Sequence, residues 1–186
     1  MGGHDPLLEE LIRLKGEGLD LFLRHYFEQE VFSLTWWVVV ALFVLPLIFW
    51  WKLADKKRLL EICVFGLLIN VAASFLDVFG SDYVLWEYPV HVLPMNGLLF
   101  PVDYVIVPVV GMLLYQRFAK WKPFLIACTL ASAFMSFACE PFAVWIGMYK
   151  LISWKYVYSF PIYIALYAIA RLITQRLASR QAKAQK

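Results

Sequence analysis

Long runs without a charge recur along this chain, and they leave few folds open to it. One bilayer crossing takes about 20 mostly apolar residues, and five windows of that kind are present, at 32–51, 59–79, 98–118, 123–145 and 157–174. With 62% hydrophobic residues over 186 positions, the chain reads as an all-α polytopic membrane protein, a helical bundle of five transmembrane helices. The connections are short. They suggest one bundle, at 32–174, with no soluble catalytic domain, low-complexity segment or flexible linker.

Basic residues predict the threading, because Lys and Arg beside short loops stay on the cytoplasmic side. Lys52, Lys56, Lys57 and Arg58 follow the first window, and Arg117, Lys120 and Lys122 flank the end of the third. Arg171, Arg176, Arg180, Lys183 and Lys186 end or follow the fifth, in a basic tail at 175–186. The loop at 80–96 holds no Lys or Arg, and the loop at 147–156 holds only Lys150 and Lys155. The N terminus is therefore expected outside and the C terminus in the cytoplasm. The net charge of +3 reflects this bias, and nothing points to nucleic acid.

The first 31 residues lack the apolar core of a cleavable signal. They read instead as an amphipathic helix. Leu7, Leu8, Leu11, Leu14, Leu19, Phe22 and Tyr26 fall on one side, and Glu9, Glu10, Arg13, Glu17, Asp20, Arg24 and Glu28 on the other. Gly16 and Gly18 are expected to break or bend it. It would lie in the interface and anchor the first span, or cover an outward-facing cavity. The eight tryptophans fall near span ends and read as an interfacial belt. Cys63, Cys128 and Cys139 have neither Cys-x-x-Cys spacing nor a matching His cluster, so they read as small packing residues, with no metal site.

Asp77, Asp103 and Glu140 are the residues that point to function. Each lies in or at the mouth of an apolar window, where an ionisable group is expensive and is functional by default. Asn70, Ser74 and Asp77 are spaced by four and three, and Ser132, Ser136 and Glu140 by four and four, so each set forms a stripe on one helix face. After each acid comes a glycine-containing loop with a tryptophan, then Phe100-Pro101-Val102-Asp103 in one case and Phe160-Pro161-Ile162-Tyr163 in the other. This suggests a parallel internal repeat, spans two and three matching spans four and five, which in transporters places sites at the repeat interface.

If the stripes face inward, the three acids converge in the outer half of the bundle with Tyr104 and Tyr163, joined from the loop by Asp82, Glu87 and His91. Asp103 lies two residues after Pro101, in a first helical turn where the dipole favours its anion. His91, alone in a loop, is expected to be solvated. The expected binding residues are thus Asp77, Asp103, Glu140, Tyr104, Tyr163, Asn70, Ser74 and Ser136, and the candidate acid and base are Asp103 and Glu140. No cofactor is indicated.

Several short segments carry a resemblance: Trp50-Trp51-Lys52, Asp55-Lys56-Lys57-Arg58, Leu85-Trp86-Glu87-Tyr88-Pro89, Pro101-Val102-Asp103, Glu140-Pro141-Phe142 and Tyr158-Ser159-Phe160-Pro161. Together they resemble a family of small five-span integral membrane proteins of spore-forming Firmicutes. The resemblance implies a multi-pass protein of the bacterial cytoplasmic membrane and assigns no reaction. Trp86-Glu87-Tyr88 ahead of Pro101-Val102-Asp103-Tyr104 is also similar to lycopene cyclase domains, which carry paired glutamates where this chain has one Asp. That likeness implies that Asp103 protonates a polyene. Three classes of function follow: a protein binding a small molecule or lipid headgroup in an acidic pocket, alone, as a homo-oligomer or with a membrane partner; an intramembrane isoprenoid or lipid enzyme; and a proton- or cation-coupled carrier.

Overall fold

The computed structural model describes residues 5–95 and 98–184; Lys186 of the basic tail and Asn96 of the outer loop lie outside them. The chain is helical nearly throughout. Asp5 starts α1 (Pro6–His25), its carboxylate accepting from the Leu7 and Leu8 amides at 3.0 and 3.4 Å with Pro6 in the first turn. A π-helical turn, Tyr26–Glu30, follows. Ser33 then caps α2 (Leu34–Leu53) by accepting from the Trp36 amide. After the short 3₁₀ turn Lys56–Arg58 comes α3 (Leu59–Asp82). A second π-helical turn, Pro101–Ile106, runs without interruption into α4 (Val107–Arg117). The rest is α5 (Trp121–Phe134), a third π-helical turn Met135–Cys139, α6 (Glu140–Trp145) and α7 (Tyr156–Ala184).

Among the described residues, four helices are long and apolar enough to cross a membrane: Leu34–Leu53, Lys56–Asp82, Trp121–Trp145 and Tyr156–Ala184. The window at 98–118 differs. Its six π-helical and eleven α-helical residues rise about 25 Å at the α-helical pitch, short of a full hydrocarbon core of about 30 Å. The segment is also central. Val105, Val107, Val109, Met112 and Tyr115 are all buried, packed against α2, α3, α5 and α7.

Lipid tails are as apolar as leucine, so what holds such helices together is close packing rather than removal of apolar surface from water. Glycine permits that closeness. A Cβ on Gly111 would sit 2.7 Å from both Ile69 of α3 and Tyr167 of α7, and one on Gly66 would collide with Met112. Around these contacts Phe65 stacks on Tyr115 with centroids 4.4 Å apart, and Phe124 meets Phe65 edge-on.

The N-terminal helix departs from expectation at Gly16 and Gly18, through which α1 passes unbroken. Neither glycine has anything within reach of a Cβ, so no packing forces a bend there. α1 buries none of its own residues. It is fastened at its far end instead: the π turn inserts Glu30, which is 3% exposed, against the loop after α3. Glu30 accepts from the His91 amide at 2.7 Å and lies 3.1 Å from His91 Nδ1, while Tyr26 donates to the Val92 carbonyl. His91 is therefore buried rather than solvated. Its partner comes from 61 residues away, a distance no local pattern reports.

Candidate functional site

Asp77, Asp103 and Glu140 line one cavity of about 740 Å³. Its walls come from α2, α3, the Pro101–Ile106 turn, the end of α5 with the Met135–Cys139 turn, α6, α7 and the loops after α3 and α6. Most of the lining is apolar. Val38, Leu42, Ala73, Ile106, Ile162 and Leu166 make its body, and the polar groups gather around the acids.

Asp77 is saturated with donors. Its Oδ1 accepts from Trp86 Nε1 at 3.0 Å and from the Tyr88 hydroxyl, and its Oδ2 accepts from the Leu99 amide at 3.1 Å. One carboxyl on α3 thus gathers the outer loop and the start of the next helix. Burial, then the carboxyls of Asp77 and Asp103, hold the Tyr88 phenol well above its ordinary range, so it remains a donor. The Tyr149 phenol, stacked on Tyr88 at 5.5 Å, is pushed up by burial as well.

Asp103 is placed differently. It is 7% exposed and its backbone amide donates to the Leu99 carbonyl at 3.2 Å, yet among the described residues its Oδ2 has no partner. Buried carboxyls that line one chamber repel each other unless a proton or a cation intervenes. Glu140 accepts from the Ser159 hydroxyl and the Tyr163 hydroxyl, both at 3.0 Å, and Trp154 Nε1 donates in turn to Ser159. The two networks meet where Trp86 and Trp154 pack edge to face, 4.9 Å between centroids.

A small roof lies over this end. The strands β1 (Trp86–Glu87) and β2 (Lys150–Leu151), one from each outer loop, pair antiparallel with Trp86 opposite Leu151. The Ile152 and Ser153 amides also donate to the Leu85 carbonyl, both at 3.0 Å. Getting into this pairing strains Val84, whose φ of 55° is unusual for a β-branched residue. Gly147 takes φ 75°, which glycine adopts freely.

Of the residues expected at the site, the three acids and Tyr163 come together in the cavity. The others do not line it. Tyr104 is largely exposed, stacked on Phe100, and borders a second, smaller hollow together with Asn70. Asn70 donates to the backbone carbonyl of Asp103 at 3.2 Å, so it holds the acid's segment rather than the chamber. Ser74 and Ser136 are outside the lining, their hydroxyls unpartnered among the described residues. Asp82 is exposed at the end of α3, and the Glu87 carboxylate accepts from the next residue's amide. Trp86, Tyr88, Tyr149, Trp154 and Ser159 were not expected there. The tryptophans had a signal, one in each loop after an acid, but it also fits an interfacial belt.

Two of the acid-bearing segments contain π-helical turns, Pro101–Ile106 around Asp103 and Met135–Cys139 just before Glu140. Such turns are rare and concentrate at functional sites. Family models, curated proteins and solved structures yield no match to this chain.

Proposed function

We propose that this protein binds an elongated amphiphile, a lipid or isoprenoid-like small molecule, in the cavity, with its polar end against the three carboxyls. The observation that carries this reading is one chamber whose mostly apolar lining includes three carboxyls, with the tryptophans of their two networks in contact. Ligand sites are mostly apolar hollows of roughly 300–1,000 Å³ with a few placed polar groups. Access from the bilayer is supported by Phe79, Phe134 and Phe142, which line the chamber and are also exposed on spanning helices.

Ala138→Trp tests it. Ala138 lines the cavity yet is exposed, so the indole fills the chamber without burying new bulk in the core. Protein purified in a mild non-ionic detergent is expected to carry a co-purifying amphiphile by mass spectrometry, and A138W to lose most of it. Equal retention by both, or none in either, overturns the reading.

The same reading places the protein in a bacterial cytoplasmic membrane with five spans, the fifth being the central segment Pro101–Arg117, and with the N terminus outside. The inside-positive distribution of Lys and Arg supports that orientation. Single cysteines at Asp5 and Ser179, in a chain lacking Cys63, Cys128 and Cys139, are expected to react with a membrane-impermeant reagent from outside at 5 only. Labelling at both, or at 179 only, removes the threading. The parallel repeat is supported by the way each outer-loop tryptophan serves its preceding acid, Trp86 directly and Trp154 through Ser159. It stands or falls on superposition of the two hairpins.

A further inference from the structure

The acids of the chamber have no basic partner among its described lining residues. Asp77, Asp103 and Glu140 all line it, and no Lys, Arg or His is among its described lining residues. Every donor reaching these acids is neutral: indole, phenol, hydroxyl or backbone amide. Buried carboxylates are tolerable when paired with a cation or neutralised by a proton, and costly otherwise. A ligand with an anionic head would add to the repulsion.

Within the trio one atom stands out. Asp77 is satisfied on both oxygens and Glu140 accepts on both. Asp103 lines the same chamber, and its Oδ2 is buried and accepts from nothing among the described residues. A buried acceptor left unpaired is a defect in a structure or half of a contact. An N–H donor carrying positive charge answers both the open acceptor and the uncompensated charge. The rings beside it fit the same occupant, because Trp86, Tyr88, Tyr149 and Trp154 bring aromatic surface to the acidic end. A metal ion fits less well. Among the described residues no three His, Cys, Asp or Glu side chains are grouped closely enough to share one.

Resting on the amphiphile reading above, we infer that the ligand is a cationic one, a long-chain primary or secondary ammonium compound. Its nitrogen donates to Asp103 Oδ2, and its chain lies along the apolar body toward Phe134 and Phe142. Asp77 orients the roof and Asp103 takes the head. The competing arrangement is a proton held between Asp77 and Asp103, which would leave the chamber indifferent to charge on the ligand.

Three probes of equal chain length separate these cases: dodecylamine, dodecanol and dodecanoate, titrated calorimetrically into the full chain in non-ionic detergent. The wild type is expected to bind the amine about tenfold or more tighter than the alcohol, as a charge-assisted hydrogen bond allows, and the carboxylate most weakly. Asp103→Asn is expected to remove the amine's advantage and keep alcohol binding, which also reports that the variant is folded. Equal binding of amine and alcohol by the wild type overturns the cationic head while leaving the amphiphile reading standing. A preference for the amine that survives D103N overturns the role given to Asp103. Binding of none of the three overturns both readings.

Discussion

Replacing Asp77 with alanine is expected to lower stability by about 3–6 kcal/mol, because three buried donors lose their acceptor together and each unsatisfied buried group costs about 1–3 kcal/mol. The donors are Trp86 Nε1, the Tyr88 hydroxyl and the Leu99 amide. Two lie in the loop after α3 and one at the start of the next helix, so their release also loosens the roof and the first turn after residue 98. The variant should show a large drop in thermal midpoint in detergent, with faster hydrogen exchange across 85–95. The contrasting substitution is Asp103→Asn, which removes an acid whose buried Oδ2 is unpaired among the described residues. It is expected to leave stability unchanged within about 1 kcal/mol or to raise it, as is common where a residue serves binding rather than folding. If D77A and D103N shift the midpoint equally, the division of labour between the two carboxyls is wrong.

At the other end of the bundle, Arg171→Ala is expected to cost about 3–5 kcal/mol. Arg171 is 1% exposed and donates from Nη1 to the Phe118 carbonyl at 2.9 Å and from Nη2 to the Ala119 carbonyl. Those carbonyls follow the last turn of α4, where helix carbonyls lack partners of their own. Its guanidinium also lies over Phe124 and Trp121, 4.3 and 4.8 Å from the ring centroids. Alanine removes the cap and empties the space between the rings. Arg171→Lys should recover part of the loss, since an ammonium keeps the charge but not the two-pronged geometry. A thermal midpoint for R171A equal to that of the wild type would show that the α4–α5 turn needs no such tie.

Much of the architecture was legible because the bilayer imposes strict lengths and strict costs. Four helices emerge as expected from apolar length alone. The central one was marked by its Pro101 start and its Asp103, but length could not distinguish a span facing lipid from a shorter helix buried among others. The convergence of Asp77, Asp103 and Glu140 was legible for a related reason: acids at that depth need company. Spacing then misled at Ser136. The stripe assumed a regular α-helix, whereas Ser136 lies in the π-helical turn Met135–Cys139 and is buried outside the lining. Tyr104 lies in another such turn, beside Asp103 but facing outward. Asn70 keeps the right face but spends its amide on the Asp103 backbone. His91 was misread because its partner, Glu30, is brought near only by the tertiary fold.

The pairing of Trp86 with Leu151 stitches two connections that leave different hairpins. Neither connection can lift independently of the other. For the proposed guest, a way out through the roof would have to break the stitch, pull Trp86 from Asp77 and separate the two indoles. The sideways route instead passes Phe134 and Phe142, which line the chamber and are themselves exposed. On the proposed amphiphile binding, the pinned roof would leave the bilayer as the guest's source and exit.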